Sequence, residues 1–261
     1  GRMYLGDTDI LGLGEEQMRE IRWTRISLVM QGAMSSLNPT MRIREQIADG
    51  IEAHTEGRQA GRGMDERITS LLRVVGLPDR VKGMFPHELS GGMKQRVCIA
   101  MAMALEPELI IADEPTSALD VVVQRIVAQT LIDVEERIGA SLLLIGHDMG
   151  LQAQLVHRLG VMYAGKLVEV GTVDQMFGAP AHPYTQMLIS SLPSTTQRTG
   201  VKGLPGLPPS LLDPPPGCVF HPRCPHVMDV CRSVVPQTQT LEDGHVVACH
   251  LYGAVAQQNG R

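Results

Sequence analysis

The chain has 261 residues, enough for one large domain or two smaller ones with a substantial core. Hydrophobic residues make up 43% and charged residues 20%, and a formal net charge of −5 argues against a basic surface for nucleic acids or anionic membranes. No apolar run approaches the ~20 residues that cross a bilayer, so we expect any work at a membrane to go through another subunit.

Helical and strand patterns alternate along most of the chain. Residues 1–14 predict short strands with turns. Helical spacing of apolar residues predicts helices at 15–22, 42–56, 64–75, 91–104, about 121–138 and 149–157. Short apolar runs predict strands at 26–30, 109–112, 141–145 and 159–163, the last leading into a hairpin around Ala164 and Gly165. This alternation is typical of an α/β fold.

Residues 89–96 read Leu-Ser-Gly-Gly-Met-Lys-Gln-Arg and open the predicted helix at 91–104. Gly91 and Gly92, after Ser90, allow backbone N–H groups to approach a phosphate, and the helix dipole favours negative charge there. Lys94 and Arg96 add positive charge nearby. The segment predicts an anion site at a helix N-terminus, and an ordinary N-cap with flexible glycines is the alternative.

Residues 109–120 read Leu-Ile-Ile-Ala-Asp-Glu-Pro-Thr-Ser-Ala-Leu-Asp. The apolar run is typical of a parallel strand covered on both faces. It ends at Asp113 and Glu114, and ligands of α/β sheets bind at the carboxyl ends of strands. Hydrolysis of a phosphoanhydride needs a metal ion and a carboxylate that orients or deprotonates water. Two adjacent acids can divide those roles, whereas a solvated acid pair is the simpler alternative.

In order and spacing, these two segments resemble the signature and Walker B motifs of ABC-type ATPases. The resemblance implies an α/β ABC-type nucleotide-binding domain, with a RecA-like core and a helical subdomain. It implies that Asp113 coordinates Mg²⁺ through water and that Glu114 is the general base of ATP hydrolysis.

The same resemblance implies a head-to-tail dimer of ATPase subunits. Ser90, Gly91 and Gly92 would contact the γ-phosphate of the ATP that the opposite subunit holds. Residues 117–120, which end in Asp120, resemble the loop that couples the two sites of such a dimer.

Gln31 and His147 each follow a predicted strand. Gln31 resembles the family's Q-loop glutamine, which senses Mg²⁺ and the γ-phosphate, although Gly32 follows where the family usually has Asp. His147 resembles the switch histidine, which hydrogen-bonds the γ-phosphate and positions water, although Gly146 precedes it in place of Ser or Thr. A lone glutamine or histidine is more often structural, so the context carries both assignments.

No Gly-x-x-x-x-Gly-Lys-Ser/Thr phosphate loop occurs in the sequence. The resemblance begins where the family has already passed that loop and its first helix. We therefore expect the chain to be truncated at its N-terminus, before or without this Walker A motif.

Four of the five cysteines lie near the C-terminus: Cys218, Cys224, Cys231 and Cys249, separated by five, six and seventeen residues. Four thiolates can hold Zn²⁺ or a [4Fe–4S] cluster, and the short Cys-x₂₋₄-Cys pairs of zinc modules are absent. The spacing resembles the cluster site of dipeptide-importer ATPases. Four nearby histidines keep a mixed zinc site open, and two disulfides or idle thiols are the plainer alternative. Cys98 stands apart and predicts a small buried hydrophobe.

The predicted organisation has three parts. Residues 1–34 and 106–178 form the α/β ATPase core, residues 35–105 the helical signature subdomain, and residues 179–261 a C-terminal extension with the cysteines. Seven prolines at 193–216 give the start of this extension a linker-like character.

Residues 162–166 and 182–185 resemble segments of the oligopeptide, dipeptide and nickel importer ATPases. This implies an ATP-hydrolysing subunit, peripheral at the cytoplasmic face of the cell membrane. Its implied partners are a second ATPase subunit, two transmembrane permease subunits and, indirectly, an extracytoplasmic solute-binding protein, with no nucleic acid. Two alternatives remain: a non-hydrolysing structural or regulatory subunit, and a soluble ABC-type ATPase.

Overall fold

The computed structural model describes residues 1–32, 36–55, 62–117, 119–192 and 206–253. Contacts between residues divide the chain into two units, Gly1–Asp148 and Met149–Arg261. The α/β alternation predicted from the sequence is confirmed. The boundaries of the three predicted parts remain a prediction.

A three-stranded parallel sheet organises the first unit. Its strands are β3 (Ile26–Val29), β4 (Leu109–Asp113) and β5 (Ser141–Ile145), in that spatial order. The first unit also contains a small hairpin and five helices among its described residues: β1 (Tyr4–Leu5), β2 (Thr8–Asp9), α1 (Glu15–Ile21), α2 (Ile43–Glu52), α3 (Arg62–Val74), α4 (Gly91–Ala102) and α5 (Val121–Ile138).

The register of the parallel sheet places the ends of its three strands side by side. Val29 pairs with Ala112 of β4, and Asp113 at the end of β4 pairs with Ile145 at the end of β5. Because all three strands run in the same direction, the residues that follow them meet at one edge of the sheet. The sequence therefore delivers three separate segments to one place.

The core of the first unit is built from aliphatic side chains. Several large residues of α2, α3 and α4 are completely buried: Ile43, Ile47, Ile51, Ile68, Leu72 and Ile99. Each such side chain contributes about 1.5–3 kcal/mol relative to an exposed one. Cys98 is buried among them, as the sequence predicts, and its burial raises the pKa of its thiol to about 11. Helices α2 and α3 thus share one core with α4, the helix that the signature residues open.

The second unit is organised by a four-stranded antiparallel sheet. Strands β6 (Arg158–Tyr163) and β7 (Lys166–Thr172) form the predicted hairpin, and Ala164 and Gly165 both have positive φ in its turn. Two later strands, β8 (Gln239–Thr240) and β9 (Val246–Val247), complete the order β6-β7-β9-β8. The described helices of this unit are α6 (Met149–Gln152), α7 (Val173–Gly178) and α8 (Pro183–Ser190).

The cysteine-rich segment packs onto the hairpin rather than standing alone. β9 pairs with β7, and Phe220, which is completely buried, lies 5.0 Å from Tyr163 of β6 and 5.3 Å from Tyr184 of α8 between ring centroids. The hairpin and the C-terminal segment therefore share one sheet and one apolar core.

Two predicted helices are shorter than expected. The helix expected at 42–56 ends at Glu52. The helix expected at 149–157 ends at Gln152. After it, Gln154 and Leu155 donate to carbonyls only three residues back, at 3.1 and 2.9 Å, which is the tighter hydrogen bonding of a turn. The proline-rich stretch expected to be linker-like lies partly outside the described residues.

Candidate functional site

Gln31, Glu114 and His147 meet at the carboxyl edge of the parallel sheet. Nε2 of Gln31 donates a hydrogen bond to Oε2 of Glu114 at 2.9 Å. Nδ1 of His147 lies 3.1 Å from Oε1 of the same carboxylate. A carboxylate accepts, so this pairing requires the imidazole proton on Nδ1. Both oxygens of Glu114 are therefore held by side chains that follow the two neighbouring strands.

The backbone of Glu114 is held in an uncommon conformation. Its φ is +44°, in the left-handed region that residues other than glycine rarely adopt. Its N–H donates to the carbonyl of Ile145 at 2.9 Å, which continues the pairing of β4 with β5 by one residue. Its carbonyl accepts from the N–H and the hydroxyl of Ser117 at 3.1 and 2.9 Å. Such strain is concentrated at functional sites, and here it aims one carboxylate.

Asp113 ends β4 immediately before Glu114, with its side chain half-buried. Because the backbone turns sharply after Asp113, the two carboxylates are carried by different backbone conformations. A carboxylate at the end of a parallel strand is a suitable oxygen ligand for Mg²⁺, which keeps several waters and binds proteins through one or two such groups. The carboxylate oxygens at this edge are therefore suitable ligands for a hydrated Mg²⁺ ion.

The predicted anion site opens α4 as the sequence indicates. Ser90 is the N-cap, and its Oγ accepts from the N–H of Met93 at 3.3 Å. Gly92 has a packing reason to be glycine, because a Cβ atom there would lie 2.3 Å from Cγ1 of Val123 in α5. The turn at residues 90–92, hereafter the signature turn, therefore has an ordinary N-cap at Ser90 and a closely packed glycine at Gly92. Phosphate binding by Ser90, Gly91 and Gly92 remains a prediction.

Arg96 lies beside the signature turn, and backbone carbonyls engage its guanidinium. Its Nη1 donates to the carbonyls of Val75 and Gly76 at the end of α3, at 3.3 and 3.0 Å. Burial lowers the pKa of its guanidinium. The positive φ of Gly76 marks the helix end that Arg96 caps. Arg96 therefore anchors α4 to α3.

Asp120 is the N-cap of α5. Its Oδ1 accepts from the N–H groups of Val122 and Val123 at 3.1 and 3.0 Å. Nε2 of Gln124 donates to the carbonyl of Thr116 at 3.2 Å, which closes the loop before the helix. Residue 118 of the predicted coupling loop lies outside the described residues. The local role of Asp120 is a cap, and its role between subunits remains a prediction.

The four C-terminal cysteines are thiols that lie within electrostatic reach of one another. Burial raises the pKa of Cys218 and of Cys224, and it raises the pKa of Cys249 to about 11, with further increments from the other three cysteines. Cys218 and Cys231 are joined by a backbone hydrogen bond of 2.9 Å from N–H to carbonyl. None of the five cysteines forms a disulfide.

Backbone N–H groups two residues further on face three of these sulfur atoms. They belong to Phe220 for Cys218, His226 for Cys224 and Leu251 for Cys249. Such bonds stabilise a thiolate and occur around iron–sulfur and zinc ligands. Within the described part of the chain, however, no group of three or more His, Cys, Asp and Glu side chains is arranged to hold a metal ion. The donor chemistry fits a metal, whereas the arrangement is not that of a closed metal site.

Comparison with known proteins places this geometry in a family. Residues 1–117 match the family model of ABC transporters, and residues 168–231 match that of the C-terminal region of oligopeptide/dipeptide transporters. The chain is similar to the solved dimeric structure of a bacterial ABC transporter cassette, with a TM-score of 0.60 and 27% identity over 66% of this chain and 73% of that one. Cassette cbiO1 from Clostridium perfringens, at 22% identity and a TM-score of 0.60 over 69% of this chain and 68% of that one, supports the fold alone.

Curated relatives match almost the whole chain. The dipeptide transport ATP-binding protein DppD of Caldanaerobacter subterraneus is 44% identical over 97% of this chain and 78% of its own length. DppD of Escherichia coli is 41% identical over 95% and 76%. The oligopeptide transport ATP-binding protein AppF of Bacillus subtilis is 40% identical over 97% and 77%. The chain therefore belongs to the family of ATP-binding subunits of dipeptide and oligopeptide ABC transporters.

Proposed function

We propose that this chain is the ATPase subunit that energises the import of peptides by an ABC transporter. The observation that carries the proposal is the carboxylate of Glu114, held at both oxygens by Gln31 and His147 at the carboxyl edge of a parallel sheet. Family membership supplies the substrate class, since the similar proteins are named for dipeptide and oligopeptide transport.

Each residue of the site has a chemical role in this proposal. Glu114 accepts the proton of the attacking water, or orders that water, as it attacks the γ-phosphate. His147, with its proton on Nδ1 facing Glu114, has Nε2 as an acceptor on the other side of its ring, where it positions the attacking water. Asp113 supplies an oxygen for water-mediated coordination of Mg²⁺, which neutralises the phosphate charge when bound.

Gln31 is the group best placed to report on the state of the site. Its amide shares the carboxylate of Glu114 with His147, and the segment that it opens leads to the helical region of α2. We propose that Gln31, when released from this bond, would contact Mg²⁺ and the γ-phosphate. The signature turn of one subunit completes the site of the other in a head-to-tail dimer.

The proposed partners follow from the family. They are a second ATPase subunit, two transmembrane permease subunits and, through these, an extracytoplasmic solute-binding protein. The similar bacterial cassette was solved as a dimer. Among the described residues no helix is both long and apolar enough to cross a bilayer. We propose a peripheral location at the cytoplasmic face of the membrane, reached through the permease subunits.

A second candidate is a non-hydrolysing structural subunit, and the phosphate loop, which the 261 residues do not contain, is what separates it from an ATPase. Without the loop's backbone N–H groups and lysine, the phosphates lose most of their contacts. We therefore propose that the 261 residues alone hydrolyse ATP negligibly. The test measures phosphate release by this chain and by a longer chain that carries a Gly-x-x-x-x-Gly-Lys-Ser/Thr sequence before Gly1. Turnover by the longer chain alone supports the ATPase, and none in either supports the structural subunit.

For the C-terminal cysteines we propose one [4Fe–4S] cluster held by Cys218, Cys224, Cys231 and Cys249. The support is the set of four thiols in electrostatic reach of one another and the backbone N–H groups that face three of the sulfurs. Its role would be structural, because ligation joins three cysteines that precede β8 to Cys249, which lies two residues after β9. A zinc ion on the same thiols is the alternative, and iron, sulfide and zinc content separates the two.

A further inference from the structure

The first turn of α5 presses directly on the signature turn. A Cβ atom at Gly92 would lie 2.3 Å from Cγ1, 3.7 Å from Cβ and 3.8 Å from Cγ2 of Val123. Carbon atoms of neighbouring side chains do not approach to 2.3 Å, so Val123 occupies the space that any larger residue at position 92 needs. Gly92 is itself buried. The two residues therefore form one tight apolar contact between α4 and α5.

The position of Val123 is set by Asp120. The N–H of Val123 donates to Oδ1 of Asp120 at 3.0 Å, and the N–H of Gln124 donates to the carbonyl of Asp120 at 2.8 Å. Gln124 also ties the helix back to the carbonyl of Thr116. Hydrogen bonds thus tie Thr116 and Asp120, at either end of the loop that precedes α5 (hereafter the Asp120 loop), to the first turn of α5, and Val123 of that turn contacts Gly92 in α4.

Arg96 also contacts the signature turn, through the carbonyl of Gly92. Nε of Arg96 donates to the carbonyl of Gly92 at 3.4 Å, while its Nη1 is fixed at the end of α3. Gly92 thus contacts both Arg96 and Val123. Arg96 is attached to α3, whereas Val123 is attached to Asp120.

We propose that Val123 is a positioning residue that transmits displacements of the Asp120 loop to the signature turn within one subunit. The inference rests on the proposed function, in which both the Asp120 loop and the signature turn serve the ATP sites of the dimer. In this proposal, the positions of the backbone N–H groups of the signature turn depend on the position of the Asp120 loop. The physical element is the close apolar contact between Gly92 and Val123.

Amide hydrogen exchange of the complete 261-residue chain, without nucleotide, tests this coupling. The reporters are the N–H groups of Met93 and Lys94, which donate to Oγ and to the carbonyl of Ser90. Asp120→Ala removes the cap of α5 and should speed exchange at Val123 about five-fold. It should also speed exchange at Lys94 about two-fold or more, and this second effect should vanish in the Val123→Ala background. Equal effects of Asp120→Ala at Lys94 in both backgrounds would overturn the proposal.

Exchanging the sizes of the two side chains gives an independent test. Gly92→Ala alone should speed exchange at Lys94 about ten-fold, because its Cβ displaces the turn. Gly92→Ala with Val123→Ala should return the rate to within about two-fold of the original, since the smaller side chain leaves room. Gly92→Ala with Val127→Ala is the matched control, because Val127 is completely buried one turn later in α5. Rescue by both second changes, or by neither, would contradict the role of Val123.

Failure of this inference and failure of the proposed function give different results. Exchange is measured without ATP, so absent ATP turnover leaves the coupling between Asp120 and Lys94 intact. If the exchange rates at Val123 and at Lys94 change independently, Val123 has no positioning role, and the assignment of Glu114 is unchanged.

Discussion

Gln31 and Glu114, 83 residues apart in the chain, are joined by a hydrogen bond of 2.9 Å from the glutamine amide to the glutamate carboxylate. His147 occupies the other oxygen at 3.1 Å. A donor at each oxygen fixes the direction of the carboxylate. Glu114 is therefore aligned by residues from both neighbouring strand ends, and substitutions at this point have outcomes that the geometry specifies.

Glu114→Gln should keep nucleotide binding and abolish turnover. In a longer chain that carries the phosphate loop, we expect phosphate release to fall at least about 100-fold, because an amide cannot accept the proton of water. The ATP-bound dimer should then accumulate in size-exclusion chromatography. Glu136→Gln, on the exposed face of α5, is the matched control and should behave as the unaltered chain. Turnover retained by Glu114→Gln would remove Glu114 from its assigned role.

Ser90→Arg should prevent the dimer from closing. The arginine side chain fills the N-terminus of α4, where the γ-phosphate of the opposite subunit is expected. We expect the double variant Ser90→Arg with Glu114→Gln to remain monomeric with ATP. Ser90→Thr preserves a hydroxyl cap for Met93 and should allow the dimer. If the arginine and threonine variants dimerise alike, the role given to Ser90 is wrong.

The sequence predicts the edge of the sheet well because its signals are local. Apolar runs mark β3, β4 and β5, and in a parallel sheet the residues after such runs share one edge. Gln31, Glu114 and His147 each follow such a run, whereas their roles come from the family resemblance of the segments around them. The positive φ of Glu114 has no such signal, since glutamate rarely adopts it and neighbouring contacts impose it.

Contacts between distant segments are what the sequence does not reveal. Gly92 fits a phosphate-binding turn equally well with or without Val123 beside it, because spacing carries no information about the facing helix. The hydrogen bond of Arg96 to the carbonyl of Gly76, after the end of α3, has no signal in the sequence either. The pairing of β9 with β7 joins residues more than seventy positions apart through two-residue registers, too short for a periodic pattern.

The stability of the second unit should fall with acid because of His182. Burial lowers the pKa of His182 to about 4, and its Nδ1 accepts from the N–H of Tyr184 at 3.0 Å, which only the neutral ring can do. The folded pKa lies below the unfolded value of about 6.5, so the unfolded state binds the proton first. The stabilisation is complete above that value and is lost as pH falls from about 6.5 towards 4.

Urea unfolding at pH 7.5 and pH 4.5 measures this contribution. We expect His182 to account for about 2–3 kcal/mol of the loss of unfolding free energy between these conditions. His182→Asn keeps an N-cap acceptor for α8 but cannot titrate, so its loss should be smaller by that amount. An identical pH dependence for the two chains would exclude His182 as the cause.

The four C-terminal cysteines should hold a cluster whose loss unfolds more than their own segment. Anaerobically purified protein is expected to be brown, with about four iron and four acid-labile sulfide per chain. Cys224→Ser should lose the colour. Because Phe220 and Tyr163 share one core, we expect protease sensitivity to extend into the β6–β7 hairpin, while residues 1–148 stay protected. Cys98→Ser, in the first unit, is the control and should remain brown. Stoichiometric zinc without sulfide in the same preparation would replace the cluster by the zinc site.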